Sequence, residues 1–146
     1  MTEKRTHKTH KEQWLVDLLR EVQGCVDEDR LAAILENRGR ACIGPAYIKK
    51  AKDAARDAKD TDEFLSRLGE VIRMLRREGD KIYVVYPKCY CHKIKGFIGD
   101  IPGIYCSCSV GWVKEMFEQA LARPVEVKLE ASVLRGDEAC RLRVLL

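Results

Sequence analysis

A chain of 146 residues, 46% hydrophobic and 34% charged, is long enough to bury one substantial core without help from disulfides or metal, and too apolar for a disordered or fibrous protein. It has no run of about 18 apolar residues, and its polar N-terminus lacks the apolar stretch of a secretory signal, so a membrane protein is excluded and the cytoplasm is the expected location. The net charge is +4, of which Lys4, Arg5, Lys8 and Lys11 against Glu3 supply +3, and the nearly neutral remainder argues against nucleic-acid binding.

Residues 1–10 read as a disordered basic tail, and residues 11–146 as a single domain. Trp14, Leu15, Leu18, Leu19 and Val22 fall at helical spacing, which predicts a first amphipathic helix ending near Gly24. Asp27 suits the N-cap of a second helix carrying Leu31, Ile34 and Leu35, with Gly39 as its stop. Residues 39–45 hold two glycines and a proline and predict an irregular turn that presents Arg40 and Cys42. Pro45 suits the first turn of a third helix with Ile48, Ala51, Ala55 and Ala58 inward. Asp60 or Thr61 caps a fourth, whose stripe runs Phe64, Leu65, Leu68, Val71, Ile72 and Leu75 and closes at Gly79 and Asp80.

The period then changes. Ile82 to Tyr86 is β-branched and aromatic and predicts a buried strand, followed by an irregular but structured segment to Cys108. Ser109 is the expected cap of a fifth helix with Trp112, Val113, Met116, Phe117, Ala120 and Leu121 on its apolar face. Val125, Val127, Leu129 and Ala131 alternate with polar residues, as do Cys140, Leu142 and Val144, which predicts a hairpin turning at Arg135, Gly136 and Asp137. The expected fold class is α+β: N-terminal helices packed on an antiparallel sheet, then a C-terminal helix and a β-hairpin.

The cysteines carry the functional argument. Cytoplasmic thiols stay reduced, and seven cannot all pair within one chain, so metal binding, thiol chemistry or plain burial are the readings that remain. Cys89, Cys91 and His92 precede a glycine- and proline-containing excursion that ends at Cys106 and Cys108. Thiolate and imidazole suit zinc or an iron-sulfur cluster, and two thiol pairs joined by a loop can close a tetrahedron. The expected metal ligands are Cys89, Cys91, Cys106 and Cys108, although zinc sites more often place two residues between paired cysteines. Cys106 and Cys108 also lie just before a helix, whose N-terminal partial charge would stabilise a thiolate nucleophile, with His92 as its orienting base. Arg40 could hold an anion bidentately, and Cys42, Trp112 and Cys140 could line a ligand pocket. The plainer alternatives are a solvated arginine, buried thiols and a core tryptophan.

Val125, Glu126 and Val127, with Glu130, Gly136, Asp137, Cys140, Leu142 and Val144, make the C-terminal hairpin resemble that of 4-vinyl reductase domains, small-molecule-binding modules related to the haem nitric-oxide-binding and Bet3-like folds. The resemblance covers roughly the last 60 residues and implies helices packed on an antiparallel sheet around a small-ligand site. Where that family often carries a cysteine shortly after the glutamate matched by Glu130, this chain has Ser132. The paired cysteines with Gly111 and Trp112, and the Gly39-to-Cys42 turn, resemble a cysteine-rich branch of uncharacterised prokaryotic proteins; a more distant similarity is to aminothiazoline-carboxylate hydrolases. The sequence thus predicts a small-ligand-binding domain with a cysteine-rich zinc site and is compatible with a homodimer. The competing reading is a cysteine-dependent hydrolase or thiol redox enzyme using a thiolate near residues 106–108.

Overall fold

The computed structural model describes residues 7–87 and 102–146, with side chains from residue 13 onward. Among the described residues five α-helices and four strands follow in the order α1 (His7–Cys25), α2 (Glu28–Cys42), α3 (Pro45–Ala55), α4 (Thr61–Val71), β1 (Leu75–Glu78), β2 (Lys81–Tyr86), α5 (Ser107–Leu121), β3 (Glu126–Ala131) and β4 (Cys140–Leu145). The fold is α+β, with one antiparallel sheet in the order β1-β2-β4-β3. Strand β4 is therefore central: Tyr86 of β2 lies opposite its first residue, Cys140, and Val127 of β3 lies opposite Val144.

Local chemistry sets the helix starts. Asp27 and Asp60 each accept a backbone N–H of the following turn, Arg30 at 2.9 Å and Glu63 at 2.8 Å, and Pro45 opens α3 where no N–H is needed. The expected caps of the second, third and fourth helices are thus in place.

Four boundaries differ from expectation, each for a physical reason. Helix α1 begins at His7, ahead of the periodic stripe, and buries Val16 while Trp14 is 62% exposed and Leu18 39%. Its inward face is turned toward Val16, Leu19 and Val22, which pack on α2 and the segment before α5. Helix α2 runs through Gly39 to Cys42, because that glycine is a contact point with α5 rather than a stop. Helix α4 ends at Val71, and Leu75 to Glu78 form a strand instead of a last turn. Gly79, at φ +62°, and Asp80 are the two-residue loop that returns β1 onto β2, with Glu78 opposite Lys81. Finally, a 3₁₀ turn over Gly103–Cys106 leads straight into α5, which places Ser109 inside the helix and not at its cap.

The main core lies between the helices and one face of the sheet, and includes Ala51, Phe64, Leu65, Leu68, Val84, Val113, Met116, Phe117, Leu142 and Val144. The alternation along β4 leaves Cys140, Leu142 and Val144 buried and Arg141, Arg143 and Leu145 half-buried, as the hairpin pattern predicts. A smaller apolar cluster joins Val16, Leu31 and Leu35 to Ile104, Tyr105, Cys106 and Leu134. Among the described residues no helix is long and apolar enough to cross a membrane.

Candidate functional site: a buried pair of thiols

Strand β4 opens on Cys140, whose inward side chain meets the 3₁₀ turn that precedes α5. Cys106, the last residue of that turn, places its Sγ 2.8 Å from the hydroxyl of Ser132, which is fully buried. The backbone N–H of Val133 donates to Cys140 Sγ at 3.3 Å. Two thiols, a hydroxyl and an amide distant in sequence thus converge at one end of the sheet.

The segment between β3 and β4 builds this corner. Ser132 Oγ accepts the Leu134 N–H at 3.2 Å, and Asp137 Oδ2 accepts the Ser132 N–H at 2.8 Å. Val133–Arg135 then make a 3₁₀ turn that ends at Gly136, whose φ of +94° suits a residue without a Cβ. The side-chain and backbone bonds on both sides of Ser132 fix its hydroxyl toward Cys106.

Hydrogen bonding from Cys106 is the largest influence on Cys140 and, with the Val133 N–H and the Ser132 hydroxyl, lowers its thiol from 9.0 to about 6. Burial and the Asp137 carboxylate act in the opposite direction and lose. A sulfur buried in apolar surroundings holds its proton more tightly unless donors face it, and here the Val133 N–H does, while Cys106 and Ser132 have one hydrogen each to share around the corner. Cys140 thereby ionises more readily than an ordinary cysteine. Beside it on β2, burial pushes the Tyr86 phenol up, and Tyr47 and Cys140 add to the shift. Tyr47 also meets Trp112 edge-on, ring centres 5.0 Å apart.

The residues expected to act are distributed unevenly around this corner. Cys89, Cys91 and His92 lie outside the described residues. Cys106 is at the centre. Cys108 is half-buried in the first turn of α5, and side chains two residues apart on a helical backbone leave it about 200° apart, so Cys106 finds its partner in Cys140. Arg40 is bound to the two carboxylates of Glu115, at 3.0 Å, and Glu118, at 2.6 Å, and so ties α2 to α5. The Glu118 bond raises the Arg40 guanidinium further, and Arg40 in turn holds Glu118 below the usual carboxylate range. Arg40 and Cys42 lie within the last turn of α2, not in a loop, and Cys42 is exposed. Trp112 packs against Tyr47 and the main core. Among the described residues no three His, Cys, Asp or Glu side chains gather in a metal-holding group.

Ser132 and Val133 were missed as site residues. Ser132 stood out in the sequence only as the residue in a cysteine's place; its spacing to Asp137 is a turn signal, but nothing local says that Cys106 faces it.

Over residues 1–146 the chain matches a family described as a family of unknown function, DUF6144. No curated protein and no solved structure matches it.

Proposed function

The chain belongs to DUF6144, a family of unknown function, and within it we propose a thiol-centred binding module: Cys106 and Cys140 hold a soft metal, zinc in first place, beside a small-ligand site. The observation that carries this reading is the placement of the Cys106 and Cys140 sulfurs against the adjacent residues Ser132 and Val133, with a lowered Cys140 thiol, since a metal must otherwise displace both protons to bind. Two thiolates are half of a tetrahedral zinc set. Cys89 and Cys91 are proposed to supply the rest; they follow Tyr86, the residue paired with Cys140, by a few positions in sequence. An iron-sulfur cluster uses the same donors and is the alternative cofactor. Tyr47, Tyr86 and Trp112 supply apolar and hydroxyl surface for the ligand, and the likeness of the hairpin to 4-vinyl reductase domains supports a small molecule there.

The test is elemental analysis and an absorption spectrum of protein purified without oxygen, followed by zinc titration of the stripped chain. We expect one metal per chain, colourless if zinc, and a rise in melting temperature of about 5–10 °C at a hundredfold excess over Kd. Cys106→Ser and Cys140→Ser should each abolish the rise, while Cys25→Ser, which alters an exposed thiol, leaves it intact. Protein that carries no metal, takes up none and melts unchanged in zinc overturns the reading.

A second reading, a cysteine-dependent hydrolase or thiol redox enzyme, is favoured by one feature. The Val133 N–H and Ser132 hydroxyl face the Cys140 sulfur much as donors face an activated nucleophile. Its mark is a single thiol, Cys140, reacting with a small electrophile at pH 6 in metal-free protein while the others stay slow.

A further inference from the structure

The sulfur pair has a chemistry that needs no metal. Cys106 sits on a short helical turn with its Sγ 2.8 Å from the Ser132 hydroxyl, and Cys140, on the central strand, accepts the N–H of the next residue, Val133, at 3.3 Å, so two adjacent residues bring both sulfurs into one corner. Two sulfurs held in one corner by adjacent residues, yet carried on separate elements, are placed for oxidation to one another. Cys25 and Cys42, exposed at helix ends, have no such arrangement around them. We propose that Cys106 and Cys140 form a peroxide-responsive dithiol, which a hydroperoxide converts to an intramolecular disulfide tying β4 to the start of α5.

The steps balance as follows. The Cys140 sulfur, its own proton already lost to solvent, attacks one peroxide oxygen; the S–O bond forms as the O–O bond breaks, and the departing oxygen takes a proton from solvent and leaves as water or alcohol. Cys106 sulfur then attacks the sulfenic sulfur; the S–S bond forms, the S–O bond breaks, and the hydroxyl leaves with the Cys106 proton as a second water. The two thiols are oxidised by two electrons and the peroxide is reduced by two. Val133 N–H and Ser132 O–H steady the charge on Cys140 sulfur during the first displacement. The small size of a hydroperoxide suits a corner in which both sulfurs are buried.

This inference stands on the placement of the two sulfurs and not on a bound metal, so its test uses the full chain after reduction and chelation. One equivalent of hydrogen peroxide is added, remaining thiols are alkylated, and the product is mapped by peptide mass. The expected product has lost two hydrogens, has two fewer alkylatable thiols than the seven of the reduced chain, and carries a cross-link between the Cys106 and Cys140 peptides. In Cys106→Ser the reaction should stop at a Cys140 sulfenic acid that a cyclic dione traps. A cross-link joining other cysteines, or alkylation of both Cys106 and Cys140 after oxidation, overturns the proposal. The mapping of the unsubstituted chain decides this even if the variant fails to fold. A chain that makes the link but never takes zinc refutes the metal reading alone, and the reverse result refutes only this one.

Discussion

At the scale of the residue, Cys140 sets hydrogen bonding against burial. Desolvation alone would raise the thiol, yet Cys106, the Val133 N–H and Ser132 bring it from 9.0 to about 6. Because the folded value is the lower one, the thiolate adds stability that is fully present above the unfolded value near 9 and is lost as pH falls through about 6. In metal-free protein, thiolate ultraviolet absorbance should therefore show a step near pH 6, well below the ordinary cysteine range. Stability to urea should rise over the same span, from about 6 to about 9. Cys140→Ser should remove the step, and a titration that begins only above pH 8 would refute the account. The inward placement of Cys140 is legible in the alternation Cys140, Leu142, Val144, since a strand's faces are fixed by its period. Its partners are not legible, because Cys106, Ser132 and Val133 reach it only through the packing of α5 on the sheet and the bonds that orient Ser132.

At the scale of the element, α2 and α5 meet through two glycines. A Cβ added at Gly39 would stand 1.8 Å from the Cys108 carbonyl oxygen, and one at Gly111 would stand 1.9 Å from that of Glu36. Backbone cannot yield as a flexible side chain does, so either alanine must push the helices apart. Around the crossing, Arg40 with Glu115 and Glu118, and Lys114 with Glu36 at 3.0 Å, close the seam with half-buried ion pairs. Gly111→Ala should cost about 3 kcal/mol or more in denaturant melts. Gly24→Ala, where an added Cβ meets nothing within 4 Å, should be neutral or stabilising by up to about 1 kcal/mol. Equal melting of the two variants would show that the crossing is not tight. In the sequence Gly111 is a glycine beside Trp112, where a missing Cβ leaves room for another backbone. The sequence offered Gly39 as a stop, because a helical glycine that receives a neighbouring backbone and one that ends a helix look alike without the partner. Leu75 was ambiguous for a related reason: one apolar residue fits a helical stripe and a strand face equally, and the loop signal at Gly79 and Asp80 was the better guide.

At the scale of the molecule, the two apolar clusters are unequal. The main cluster takes in α3, α4, α5 and the sheet; the smaller holds Cys106 together with α1, α2 and the turn over Val133–Arg135, and Leu129 packs against both. Among its described side chains α1 fully buries only Val16, and it leaves Trp14 and Leu18 exposed. A helix held by so little apolar area should open before the rest, since local stability follows buried contact. Phe117→Ala, in the main core, should cost about 3–5 kcal/mol and speed hydrogen exchange throughout the chain. Val16→Ala removes about two methylene equivalents, costs about 1.5–2 kcal/mol, and should speed exchange in α1 while peptides of α5 and β4 stay protected. Exchange followed by mass spectrometry separates the two outcomes, and α1 amides exchanging in step with those of α5 would refute the division. The same division bears on Cys106: its sulfur points to the sheet while its neighbours Ile104 and Tyr105 pack in the smaller cluster, so opening on the α1 side loosens one thiol while β4 holds the other in place.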